Sequence, residues 1–97
     1  ELHIKTDDVQ IIKHRVSAFY GTDLDLILRG NSVREIVLVG IATNNAVELT
    51  AREAHDRDFK VQVIGDATEC GSDEEKSASL NFLSRITEVL STDQLIR

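Results

Sequence analysis

One stretch constrains the fold more than any other: EIVLVGIATNNAVELTAREA, residues 35–54. A run of aliphatic and β-branched residues, 35–41, leads into a tight turn, and the turn leads directly into a helix rich in small side chains. A near-continuous apolar run of this length reads as a strand buried on both faces, the situation of a parallel sheet. The helix, read over 44–58, places Val47, Thr50, Ala51 and Ala54 at i, i+3, i+4 and i+7. That is a narrow face of small residues able to pack closely on a sheet, with charges around the rest. Such a strand–turn–helix is where α/β enzymes often keep a nucleophile. Here the turn holds Thr43, Asn44, Asn45 and Ala46, with neither Cys nor Ser.

The remaining elements follow the same alternation. VQIIK, 9–13, reads as a short strand after the turn-like TDD. GTDLDLILRG, 21–30, reads as a helix that Thr22 can cap, with Asp25 as its capping-box partner and Gly30 as its end. Leu24, Ile27 and Leu28 then share one face. KVQVIGDA, 60–67, is the next strand, and 72–86 a helix with a second capping box, Ser72 and Glu75. EVLS, 88–91, is a last short strand, and TDQLIR starts a terminal helix. The order β-α-β-α-β-α-β-α implies right-handed crossovers and a parallel sheet with helices on both faces. Sites in such sheets form beyond the carboxyl ends of the strands. Lys13, at the end of the first strand, and residues 43–46, after the second, both fall there.

Composition removes several function classes. A chain of 97 residues allows one small domain, and 41% hydrophobic with 29% charged residues is globular rather than disordered. A net charge of −6 without a Lys/Arg cluster argues against a nucleic-acid partner, and four aromatic residues are too few for a base-stacking platform. No apolar run approaches the ~20 residues of a membrane helix. The single cysteine, Cys70, excludes an internal disulfide framework and suits a reducing, cytoplasmic setting. His3, His14, His55 and Cys70 fit no metal-ligand spacing, so neither metal nor cofactor is expected of these residues. The helix start at Asn44 invites a phosphate-binding reading, but the chain has no G-x-G-x-x-G and no G-K-[ST].

Three motifs stand in order: KHRVSAF, which reads K-x-R-x-S-A-F; GTDL, which reads G-T-x-L; and GIATNNAVELTAREA, which reads G-x-A-T-x-x-x-V-x-x-T-A-x-x-A. Together they resemble the isochorismatase-like hydrolases, or cysteine hydrolases, which include nicotinamidases, N-carbamoylsarcosine amidases and isochorismatases. The resemblance covers essentially all 97 residues. It implies a Rossmann-like, three-layer α/β fold, with residues 1–97 as the C-terminal part of a single hydrolase domain whose N-terminal part is not in this chain. It also implies an Asp–Lys–Cys site. The Lys matches Lys13 and the Cys position matches Ala46, while the Asp, and the Asp and His metal ligands of the amidase branch, fall in the N-terminal part. A cis peptide is implied between Ile41 and Ala42, and an oxyanion hole at the backbone N–H groups of Ala42 and Ala46. Asn44, Asn45 and Phe19 would face the substrate.

Ala46 changes the chemistry. A methyl group has no lone pair and no ionisable proton, so thioester formation is excluded at this position. Isochorismatases also lack the Cys, and they cleave a vinyl ether by delivering a proton to carbon and letting water attack. The resemblance therefore implies hydrolysis of a vinyl ether or an amide of a small molecule by an Asp–Lys site without its Cys. The alternative is an inactive or engineered Cys→Ala member that serves as a binding or structural subunit. The expected partners are a small-molecule substrate, the N-terminal half of the same domain and further copies in a homo-oligomer. Plainer readings stand beside these: Lys13 as a surface lysine, Asn44 or Asn45 as helix caps, Ala46 as packing, Cys70 as a structural thiol. Asp66 is expected to order a turn, and the acidic run 73–75 to complement a helix N-terminus.

Overall fold

A computed structural model describes residues 10–13 and 15–96. Among the described residues the sheet has three parallel strands, β1 Glu35–Ile41, β2 Lys60–Glu69 and β3 Glu88–Leu90, in the order β1-β2-β3. A helix, α1 Leu24–Gly30, precedes β1. Between β1 and β2 the chain makes a π-helical turn, Thr43–Val47, and continues as α2 Glu48–Asp56. α3 Asp73–Leu83 connects β2 to β3, and α4 Thr92–Ile96 follows. This is the α/β architecture expected, a parallel sheet flanked by helices.

The core lies where α2 and α3 meet the sheet. Phe19, Val47, Ala51, Ala54, Phe59, Val61, Val63 and Leu83 form one buried cluster. All four residues of the small α2 face, Val47, Thr50, Ala51 and Ala54, are buried. Full burial of an aliphatic side chain contributes about 1.5–3 kcal/mol. α3 begins as its sequence indicates: the Ser72 hydroxyl accepts from the Glu75 N–H at 3.1 Å, and three acidic residues occupy the first turn. Asp66 accepts from both the N–H and the hydroxyl of Thr92 at 2.8 Å and so caps α4.

Four expectations are corrected. Residues 10–13 form no strand, and Val9 lies outside the described residues. A short apolar run becomes a strand only when a neighbour pairs with its backbone, and no described strand pairs with this one. The helix over 21–30 shortens to Leu24–Gly30: the Thr22 hydroxyl accepts from the Leu24 N–H at 3.2 Å, and Asp25 turns to Arg29 and Arg57 instead of closing a box. The helix over 44–58 divides into the π-turn and α2. β1 is not buried on both faces. Its burial alternates, with Val37, Val39 and Ile41 at 43%, 51% and 76% exposure. The strand buried on both faces is β2, where the successive residues Val63 and Ile64 are both covered and against which α2 and α4 both pack; among the described residues β1 is the outer strand.

Candidate active site

The site begins at an irregularity in the β1–β2 pairing. Leu38 pairs with Val63, but Gly40 pairs with Thr68, so β2 bulges opposite the end of β1. Gly40 has φ +121°, a conformation that L side chains rarely adopt, which is why a glycine stands there. The Ile41–Ala42 peptide is cis, at the bond the resemblance indicates. The Ala42 carbonyl then accepts from the N–H groups of Asn45 and Val47, both at 3.1 Å. The second of these spans five residues and makes the turn π-helical. An oxyanion role for the N–H groups of Ala42 and Ala46 asks nothing of either bond.

The turn is anchored from below by buried hydroxyls. Thr43 is fully buried and donates to the Thr68 hydroxyl at 2.9 Å, which donates in turn to the Gly65 carbonyl at 3.0 Å. The Ser79 hydroxyl lies 3.1 Å from the Thr43 carbonyl and 2.6 Å from Glu48 Oε1. The Thr of the GIAT motif is thus a connector between the turn, β2 and α3.

A cleft of about 240 Å³ opens at this point, lined by Lys13, Ala18, Gly40, Ile41, Ala46 and Thr50 among others. Lys13 and Ala46, 33 positions apart in the chain, therefore share one cavity wall. The Lys13 ammonium donates to the carbonyls of Arg15 and Val16, both at 3.2 Å. Ala46 is half-buried. A larger cleft of about 690 Å³, lined by Arg15, Tyr20, Arg52 and Asp56 among others, includes neither Lys13 nor Ala46.

Three expected pocket residues do not line the cleft. Phe19 is 3% exposed and belongs to the core, its ring 5.9 Å from that of Phe59. The Asn44 amide donates to Glu75 at 3.0 Å and accepts from the Cys70 thiol at 3.1 Å, so it is drawn towards α3. Asn45 is exposed. For Phe19 and Asn44 the reason is the same: partners distant in sequence take the side chain. Sequence reading also missed why the S-A-F of the first motif stands where it does. Ser17 donates to Glu53 at 2.6 Å, the Ala18 N–H donates to Thr50 at 3.0 Å, and Phe19 enters the core. The signal was available in the T-A-x-x-A motif, whose Thr50 is one of these partners.

Among the described residues no group of three His, Cys, Asp or Glu side chains could hold a metal ion. The metal of the amidase branch therefore finds no ligand set in them, and no step is assigned to it. Carboxylates near the Lys13 segment are perturbed. The Ser17 hydroxyl, and then the Arg57 guanidinium, hold the Glu53 carboxyl below its usual range. Arg57, with Arg29, does the same to Asp25.

The family model for the isochorismatase domain matches residues 1–94. The isochorismatase family protein YwoC of Bacillus subtilis (strain 168) is 42% identical over 97 residues, 99% of this chain and 51% of that protein. The ureidoacrylate amidohydrolase RutB of Caulobacter segnis is 38% identical over 86 residues, 87% of this chain and 36% of that protein. The crystal structure of an isochorismatase-like hydrolase from Alkaliphilus metalliredigens superimposes with a TM-score of 0.95 at 37% identity, covering 98% of this chain and 53% of that one. The chain spans about half the length of curated relatives such as YwoC.

Proposed function

The chain belongs to the isochorismatase family, and from that premise we propose that the cleft lined by Lys13, Gly40 and Ala46 is part of a hydrolase site that works on a small molecule without a protein nucleophile. One observation carries the reading: Lys13 and the position-46 turn meet in one cleft, although no described strand holds Lys13 there.

The residues divide the work in the following way. The Lys13 ammonium holds a partner carboxylate ionised or shares its proton, the role its position implies. That carboxylate is the Asp that the resemblance puts in the N-terminal part of the domain. The N–H groups of Ala42 and Ala46 face developing negative charge on oxygen, where preformed donors contribute most. With Ala46 unable to attack, water is the nucleophile and the bond cleaved is a vinyl-ether C–O or an amide C–N. The ureidoacrylate amidohydrolase among the relatives favours the amide; the missing sulfur favours the vinyl ether. A cytoplasmic homo-oligomer belongs to the same proposal, the single cysteine suiting a reducing compartment. A second reading, a catalytically silent binding or structural subunit, is favoured by Ala46 alone.

The test is turnover of a panel of small vinyl ethers and amides by the complete domain, wild type against Lys13→Ala. General acid–base catalysis contributes about 10²–10⁴-fold, and a loss of that order is expected. Stability should move by no more than ~0.5 kcal/mol, as for a solvated lysine. Turnover unchanged in Lys13→Ala removes Lys13 from the site. A folded wild type that turns over no member of the panel favours the silent subunit.

A further inference from the structure

Lys13 reaches the cleft from a segment that belongs to no strand, so something else must hold it in place. Its ammonium is bonded to the carbonyls of Arg15 and Val16, which ties the side chain to its own loop. The next residue, Ser17, is where that loop meets the body of the protein. The Ser17 hydroxyl donates to Glu53 Oε1 at 2.6 Å, a charge-assisted bond across 36 positions of sequence. The other carboxylate oxygen of Glu53 is gripped by Arg57, at 2.7 Å from Nη2 and 3.1 Å from Nε. Arg57 is itself braced by Asp25 at 2.6 Å. One turn before Glu53, Thr50 accepts from the Ala18 N–H at 3.0 Å. Two side chains on one face of α2 therefore hold two consecutive residues of the loop. The same helix continues directly from the π-turn that carries Ala46. One rigid element sets the position of both halves of the cleft.

We propose that Glu53 is a positioning residue for Lys13: through Ser17 it fixes the loop that holds the ammonium against the position-46 turn. The assignment rests on the reading of the cleft given above. Glu53 does not line that cleft and touches no reacting group. Its two oxygens have separate tasks: one holds the loop, and the other is held by Arg57 so that the first cannot turn away.

The experiment uses a thiol as a local reporter of the ammonium. In the complete domain, Ala46→Cys is combined with Cys70→Ala, and the apparent pKa of the introduced thiol is read from alkylation rate against pH. Lys13→Ala should raise that pKa, since a nearby cation stabilises the thiolate. Ser17→Ala, which changes no charge, should reproduce most of that rise, and Ser17→Thr, which keeps the hydroxyl, should restore the original profile. In the Lys13→Ala background Ser17→Ala should add nothing further. Glu53→Ala carries the same test if Ser17→Ala does not fold. Removing an anion would by itself lower the thiol pKa, so a rise can come only from a displaced Lys13. A rise on Lys13→Ala with none on Ser17→Ala or Glu53→Ala overturns the positioning role and leaves the cleft reading intact. So does a rise that persists in the Lys13→Ala background. No rise on Lys13→Ala overturns the cleft reading, and the positioning role with it.

Discussion

At position 46 a methyl group stands where the resemblance puts the family's cysteine, in a turn of defined form. Gly40 supplies the left-handed backbone, the Ile41–Ala42 peptide is cis, and Thr43 pins the turn to β2. The turn can therefore be tested with the sulfur returned. A thiol introduced by Ala46→Cys would share the cleft of Lys13 and sit in the turn that leads into α2. Both lower a thiol pKa from its free value of about 8.5. With Cys70→Ala leaving one thiol, alkylation against pH should report an apparent pKa well below about 8. A value at or above the free one, or a thiol that does not react, would make Ala46 a packing residue. Gly40 and the Ile41–Ala42 bond were legible from the motif because the local backbone sets them, whereas the meeting of Lys13 and Ala46 in one cleft depends on the docking of the Lys13 loop on α2. The orientation of Asn44 was not legible, since Cys70 and Glu75, which hold it, are 26 and 31 positions away.

Among the elements, α2 carries the most information. Its buried face was readable from the i, i+3, i+4, i+7 spacing, because side-chain direction in a helix is fixed by periodicity. Its outer face was not: Glu53 reads as an ordinary charged position, and only the docking of the loop before α1 brings the Ser17 hydroxyl to it. This docking has a pH signature. The Glu53 carboxyl is held below its usual pKa, first by Ser17 and then by Arg57. A group depressed in the folded state contributes stability that is present above its unfolded pKa and lost as pH falls through the folded value. Stability measured by urea unfolding should decline as pH drops below about 4, the ordinary carboxylate value. Glu53→Gln should make that decline shallower. An acid limb of unchanged slope in Glu53→Gln would mean that the carboxylate is not engaged in solution. Asp25 and Asp66 shift in the same direction and account for a limb that remains.

For the molecule as a whole, the β1 edge and the face bearing Val37, Val39 and Ile41 are the outstanding feature, because apolar side chains on an uncovered strand favour association. Residues 1–97 expressed alone should self-associate or melt without cooperativity, and co-expressed N-terminal half-domain should bind them and give one cooperative transition. A monomeric mass with a cooperative melt for residues 1–97 alone would overturn this. No helix among the described residues is long and apolar enough to cross a membrane. The sequence by itself determined the element order from β1 onward, the buried face of α2 and the Ser72 cap. Each of these depends on neighbours within a turn or two, or on spacing along a single element. Only the tertiary structure decided that β2 rather than β1 is covered on both faces, that residues 10–13 join no strand, that Phe19 fills the core, and that Ser17 rests on Glu53. Those outcomes depend on what lies across the sheet or dozens of residues away, and hydrophobicity and periodicity do not encode which distant partner arrives.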